Sequence, residues 1–168
     1  MGESPPNLDE LRTVGLFGAV NDEALTFLTS KLAVLHPASG DVIFREGDPA
    51  RDMFVVMSGE MEVLKRSHSG KDARVALLGP GDWFGEMSIL DVQPRSATVR
   101  VLAPSRLLRI SAADLDALYR HDVRTYAIIA LNVARELSRR LRVADGLLAD
   151  FVVNVMGHYV ERRRPPAS

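Results

Sequence analysis

Between Leu32 and Ile110 the chain is cut into short apolar segments by a recurring glycine followed at once by an acid: Gly40-Asp41, Gly47-Asp48, Gly59-Glu60 and Gly81-Asp82. Glycine relieves the steric cost of positive φ, so each pair reads as the corner of a tight turn. The segments between them are Val42-Ile43-Phe44, Met53 to Met57, Met61 to Leu64, Val75 to Leu78, Ala97 to Leu102 and Leu107 to Ile110. Several alternate apolar with polar residues, as half-buried strands do. Short strands joined by frequent corners fold most simply into a compact antiparallel β-roll of jelly-roll-like form.

Helical patterns flank this region, giving a mostly β chain with helices at both ends. Residues 1–31 form a lead-in whose Leu8, Leu11, Leu16, Phe17, Leu25 and Leu28 are apolar, with Asn21 or Asp22 placed to cap a short helix. The roll occupies 32–111. From 112 to 164 come two helices: a short one opened by the capping-box-like Ser111-Ala112-Ala113-Asp114 and ending near His121, then a long one from Asp122. The long one has no internal proline and is interrupted in its interior only by Gly146. Leu141, Leu148, Val152, Val155 and Tyr159 make an apolar seam on it, widened by Leu137, Ala144 and Phe151. One roll cannot cover so much apolar face, so a homodimer paired through this helix is expected. Residues 165–168 are a tail, and Arg162-Arg163-Arg164 before it read as solvated.

Composition narrows the function classes. With 21 basic and 22 acidic residues, no global field draws the chain to nucleic acid or to an anionic membrane. The absence of cysteine removes disulfides, thiolate metal sites and thiol nucleophiles, and fits a reducing, cytoplasmic setting. No secretory leader or membrane-length apolar run is present in the sequence. His36, His68, His121 and His158 are scattered, and no nucleophile elbow, His-Glu-x-x-His pair or P-loop occurs, so neither catalysis nor a metal site is expected.

Residues 84–99 carry the chemistry: Phe84-Gly85-Glu86-Met87-Ser88, then Arg95-Ser96-Ala97-Thr98-Val99 after a variable stretch. A phosphate site needs backbone N–H donors pointing one way and a cation opposite. A short helix starting just after Gly85 supplies the donors, and glycine admits close approach of ligand to backbone. Arg95 supplies a planar fork that matches two phosphate oxygens, and Ser96 adds a hydroxyl. Glu86 suits a ribose hydroxyl rather than a phosphate, because a carboxylate accepts the 2′-OH proton that a cyclised phosphate leaves free.

This segment resembles the phosphate-binding cassette of cyclic-nucleotide-binding domains, as found in bacterial catabolite activator proteins, protein kinase regulatory subunits and gated channels. The family pattern F-G-E-(L/I)-(A/G)-(L/I) followed by R-(S/T/A)-A-(T/S)-V is matched, with Met87 and Ser88 as mild departures. The likeness runs upstream through Asp41 to Asp48, Phe54 to Gly59 and Leu78 to Asp82, and covers roughly residues 15 to 143. It implies that Val75, Leu77, Phe84, Gly85, Glu86, Met87, Ser88, Arg95, Ser96 and Ala97 bind the ligand. It also implies that Arg140, Ala144 and Asp145 on the long helix contact the base, and that this helix moves on binding.

The ligand implied is cyclic AMP or cyclic GMP, with no metal. Asp145 suits either base, a cyclic dinucleotide is a further candidate, and prevalence in the family favours cyclic AMP. The chain stops at Ser168 with no recognition helix, so the expectation is a stand-alone sensor that signals to a separate downstream protein, without DNA or membrane binding. The competing readings are a β-roll interaction domain with a degenerate pocket and a truncated transcription regulator. A cupin-type enzyme would need clustered histidine and carboxylate ligands, which the sequence lacks.

Overall fold

A computed structural model describes residues 6–162, with side chains described for 6–155. The chain forms two compact units, one running to Asn132 and one starting at Val133. The first begins with α1 (Leu8–Arg12), a 3-10 turn (Gly15–Phe17) and α2 (Asp22–Thr29). Asn21 caps α2 by accepting from the Ala24 N–H, as the sequence suggests. A second cap, the reciprocal Asn7–Glu10 capping box, starts α1.

The roll contains β1 (Ala33–Leu35), β2 (Val42–Phe44), β3 (Asp52–Arg66), β4 (Asp72–Leu78), β5 (Trp83–Phe84) and β6 (Thr98–Ser111), with α3 (Met87–Leu90) between β5 and β6. All described pairings are antiparallel. The long strands β3 and β6 pair along most of their length and form the spine. At one end of the spine β6 takes β1 while β3 takes β5; at the other, β6 takes β2 while β3 takes β4. Phe54, Val56, Met61, Leu78, Phe84, Val99 and Leu107 pack together inside the roll.

The corner chemistry is shared by three of the four glycine–acid pairs. Asp41, Asp48 and Asp82 each accept a hydrogen bond from the backbone N–H three residues earlier, at Ala38 (2.8 Å), Arg45 (2.8 Å) and Gly79 (2.9 Å). Each also donates its own N–H to that residue's carbonyl at 3.1 Å, so the side chain locks the turn that the backbone makes.

The fourth pair differs from expectation. Gly59-Glu60 lies inside β3, and the segments Met53 to Met57 and Met61 to Leu64 are one continuous strand. Gly59 has φ +93° where the β3–β6 register shifts, and a Cβ there would lie 2.6 Å from Ser105 Cα. The glycine therefore bends the spine and lets the strands touch, instead of reversing the chain. The segments Ala97 to Leu102, from Thr98 on, and Leu107 to Ile110 are likewise joined in β6, across Pro104.

After β6, α4 (Ala112–His121) opens with the Ser111–Asp114 capping box. The lead-in is tied to later elements by polar and ring contacts. Arg106 bonds Glu10 at 2.8 Å, Asn132 donates to the carbonyls of Leu16 (3.0 Å) and Gly18 (2.9 Å), and His121 stacks on Phe27 with centroids 4.0 Å apart.

The long helix α5 (Val123–Arg162) starts in the first unit and makes up the described part of the second. Leu141, Leu148, Val152, Val155 and the widening Phe151 of the expected seam are exposed, as are Leu147 and Val153 outside it. The side chains of Tyr159 and His158, and the residues from Arg163 onward, lie outside those described.

Candidate functional site

The cassette is built where β5 runs out. Trp83 and Phe84 are held by pairing with Val55 and Phe54 of β3, and Gly85 then turns the chain with φ +83°. A Cβ at position 85 would stand 2.6 Å from Arg95 Nη1 and 3.2 Å from the Asp52 carbonyl, so conformation and space both demand glycine. Glu86 follows as the N-cap residue of α3. The first intrahelical bond is Ile89 N–H to the Glu86 carbonyl at 3.1 Å, so the Met87 and Ser88 amides stand ahead of the helix's own bonding.

Glu86 and Arg95 are 3% and 5% exposed, in a chain whose other charged groups lie mostly at the surface. Arg95 lies over the Phe44 ring, its Cζ 3.9 Å from the centroid, with Phe54 behind at 5.8 Å. Phe84 completes the apolar floor, 5.3 Å from Phe54 and 5.8 Å from Phe44. This floor holds the planar guanidinium by stacking, a role lysine would not fill.

In this structure the fork engages protein groups. Arg95 Nη1 donates to the carbonyls of Asp52 (2.7 Å) and Gly85 (3.2 Å), and Nη2 pairs with Asp52 Oδ1. Burial pushes the Arg95 guanidinium below its ordinary value, and the charges of Asp52, Asp48 and Glu86 oppose that push. Asp52 and Phe44 are the members of this site that sequence reasoning passes over. The available signal was indirect: an arginine bound for the interior needs a carboxylate, and Asp52 opens the strand beside it.

The backbone around Arg95 is pinned by the β2–β3 loop. Arg95 N–H donates to the Asp48 carbonyl (2.9 Å), and Gly47 N–H donates to the Arg95 carbonyl (2.8 Å). Glu46 extends the clamp, accepting from the Arg66 N–H (3.0 Å) and from Lys65 Nζ (2.6 Å), while Lys65 also reaches the Ser96 carbonyl at 2.5 Å. The Arg66 amide, with Lys65 second, holds the Glu46 carboxyl below the usual value.

The remaining residues expected at the site divide by place. Phe84, Gly85, Glu86, Ser88, Arg95 and Ala97 are buried or half-buried in the roll, with Ser88 buried. Met87 and Ser96 are exposed and in contact, Ser96 Oγ 3.6 Å from Met87 Sδ. Val75 and Leu77 lie on the edge strand β4 and are 60% and 51% exposed. Val63 pairs with Ala76 and Leu64 with Arg74, so Val75 is the extra residue of a bulge that re-aims its side chain. Arg140, Ala144 and Asp145 belong to the second unit. There Arg140 Nε bonds Glu136 at 3.0 Å, and Ala144 and Asp145 are exposed.

Among the described residues no group of three histidine, cysteine or acidic side chains is placed to hold a metal ion, and no helix is long and apolar enough to cross a membrane.

Known proteins carry the same frame. The "CRP-like cAMP-activated global transcriptional regulator" of Mycobacterium tuberculosis is 32% identical over 146 residues, covering 86% of this chain and 63% of the relative. The crystal structure of the Thermus thermophilus catabolite activator protein superposes with a TM-score of 0.72 at 34% identity, covering 82% of this chain and 62% of that one. The regulatory domain of Toxoplasma gondii PKA, crystallised with cAMP, gives a TM-score of 0.61 at 28% identity over 66% of this chain and 42% of that one. This chain thus spans less than two thirds of the length of that M. tuberculosis relative. A profile described as "Cyclic nucleotide-binding domain" matches residues 35–122, from β1 through α4 and across the whole cassette; the chain belongs to the cyclic nucleotide-binding domain family.

Proposed function

We propose that the chain is a sensor that binds a cyclic mononucleotide at the cassette and does no chemistry on it. The observation that carries this reading is the burial of Glu86 and Arg95 beside a left-handed Gly85. Burying two charged groups is costly unless they are used or fully paired, and their chemistries suit a ribose hydroxyl and a phosphate. In this reading Arg95 shares its fork between Asp52 and the cyclic phosphate. The Met87 and Ser88 amides donate to the phosphate, with the Ser88 and Ser96 hydroxyls beside them. Glu86 accepts from the 2′-OH, and Phe84 and Ala97 close the ribose side.

Val75 and Leu77 offer apolar surface to the base, and Arg140, Ala144 and Asp145 are the base contacts proposed on α5. The ligand is cyclic AMP or cyclic GMP. The names of the M. tuberculosis and T. gondii relatives, which both carry cAMP, favour cyclic AMP. Signalling follows if ligand binds more tightly to one arrangement of α5 than to another, because only differential affinity shifts such an equilibrium. The exposed apolar seam of α5 supports pairing with a second copy, and the output passes to a separate protein in the cytoplasm.

Titration calorimetry of the chain with cyclic AMP and with cyclic GMP tests the reading. Saturable heat with at least one is expected. Silence with both leaves the roll as an interaction domain with a closed pocket, a reading that the Arg95–Asp52 pair also accommodates.

A further inference from the structure

Asp52 serves two guanidiniums. Its Oδ1 takes Arg95 Nη2, and its Oδ2 takes Arg109 Nε at 2.8 Å. The geometry follows from register: in the β3–β6 ladder Asp52 faces Ser111 and Phe54 faces Arg109, so Arg109 and Asp52 are diagonal neighbours on one face. A diagonal gap of about 7–8 Å is within reach of an arginine but of few other side chains. Phe54, directly opposite Arg109, is also the ring behind Arg95. Arg109 therefore reaches the cassette cation through Asp52, and lies outside the cassette in sequence.

Charge makes this arrangement consequential. An Arg95–Asp52 pair alone is neutral, and Asp48 and Glu86 also pull on Arg95, so such a site offers little net attraction to an anion. A second guanidinium on the same carboxylate leaves the triad with one positive charge. It also divides the hold of Asp52, so that Arg95 can turn part of its fork toward phosphate without stranding a buried carboxylate. Resting on the cyclic-nucleotide reading above, we propose that Arg109 is a positioning residue for anion capture, acting through Asp52 to set both the aim and the availability of Arg95.

The test is a double-mutant cycle read by calorimetry with cyclic AMP and cyclic GMP as probes. Arg109→Gln is expected to weaken binding about three- to tenfold, Arg109→Lys to retain most of the affinity, and Arg109→Gln in an Asp52→Asn background to change it less than about twofold. Circular dichroism on each variant checks that the roll is intact. Equal weakening by Arg109→Gln in both backgrounds would mean a diffuse field effect and overturns the proposal, as does unchanged affinity in the single variant. A wild-type chain that binds neither nucleotide removes the functional reading and this inference together, whereas binding without sensitivity to Arg109 removes the inference alone.

Discussion

The cassette and the distal part of α5 break the ordinary rule of protein surfaces in opposite directions. In the cassette, charged groups are hidden: Glu86 and Arg95 are buried, and Asp52 is mostly so. Along α5 beyond Val133, large apolar groups are shown, Phe151 at 64% exposed with Leu147 and Val153 similarly open. A buried charge and an exposed apolar stripe are each more informative than a surface charge or a lone exposed leucine, because each costs free energy unless something else compensates. The first needs countercharge and donors, which suits a small polar ligand. The second needs area, which suits another protein surface. In the proposed reading, the first would receive a signal and the second would pass it on.

Breaking the buried side has the largest expected effect. Arg95→Ala removes the fork and leaves Asp52 with Arg109 only, so affinity for the cyclic nucleotide falls at least about 100-fold and stability by about 3 kcal/mol. Calorimetry and denaturant unfolding read the two losses separately. Arg95→Lys keeps charge but neither fork nor ring stacking, and should recover less than a tenth of the affinity; full recovery would show that charge alone suffices. Gly85→Ala comes next. A left-handed alanine costs about 1–2 kcal/mol, and a methyl 2.6 Å from Arg95 Nη1 adds about as much again. Unfolding that differs from wild type by less than about 1 kcal/mol would mean that the cassette backbone is free to rearrange.

The exposed side is tested by charge. If α5 pairs with a second copy, Phe151→Glu or Leu148→Glu should weaken self-association by about 2 kcal/mol or more, the cost of losing one buried large apolar side chain. The roll should remain as stable as before, because these side chains are exposed in the single chain. Light scattering over a concentration series checks this. A wild-type chain that stays monomeric at high concentration would assign the stripe to a different protein.

How far the sequence went follows the same divide. Strand segments, the α2 and α4 caps and the long helix are local, and alternation or spacing reveals them. Three corners were legible because a neighbouring aspartate closes each turn. Gly59 differs from those corners because a glycine that bends a strand looks, in sequence, like one that ends it; the approach of Ser105 from β6 distinguishes them. Glu86 and Arg95 were legible because their chemistry and spacing lie within one segment. Asp52, Phe44 and Arg109 were not, because their connection to Arg95 is made by the roll bringing β2, β3 and β6 together. A pairing between strands leaves no periodic trace in either one.

The smallest predicted effect sharpens the comparison from within the cassette. Val92 sits between α3 and Arg95 with φ +55°, a conformation in which a β-branched residue is a true outlier, and it is 73% exposed. Asp91 Oδ1 accepts from the Gln93 N–H at 3.1 Å, so polar closure of the turn does not depend on the valine side chain. Val92→Gly removes a steric cost of about 1–2 kcal/mol and adds unfolded-state entropy that offsets part of it, for a net gain of about 1 kcal/mol. Denaturant unfolding measures that gain and calorimetry the affinity. Greater stability with unchanged affinity makes the strain a local property of the loop. Greater stability with weaker binding means that the strained valine holds the cassette in its anion-gripping shape, so that the cost of preparing the site includes backbone as well as buried charge.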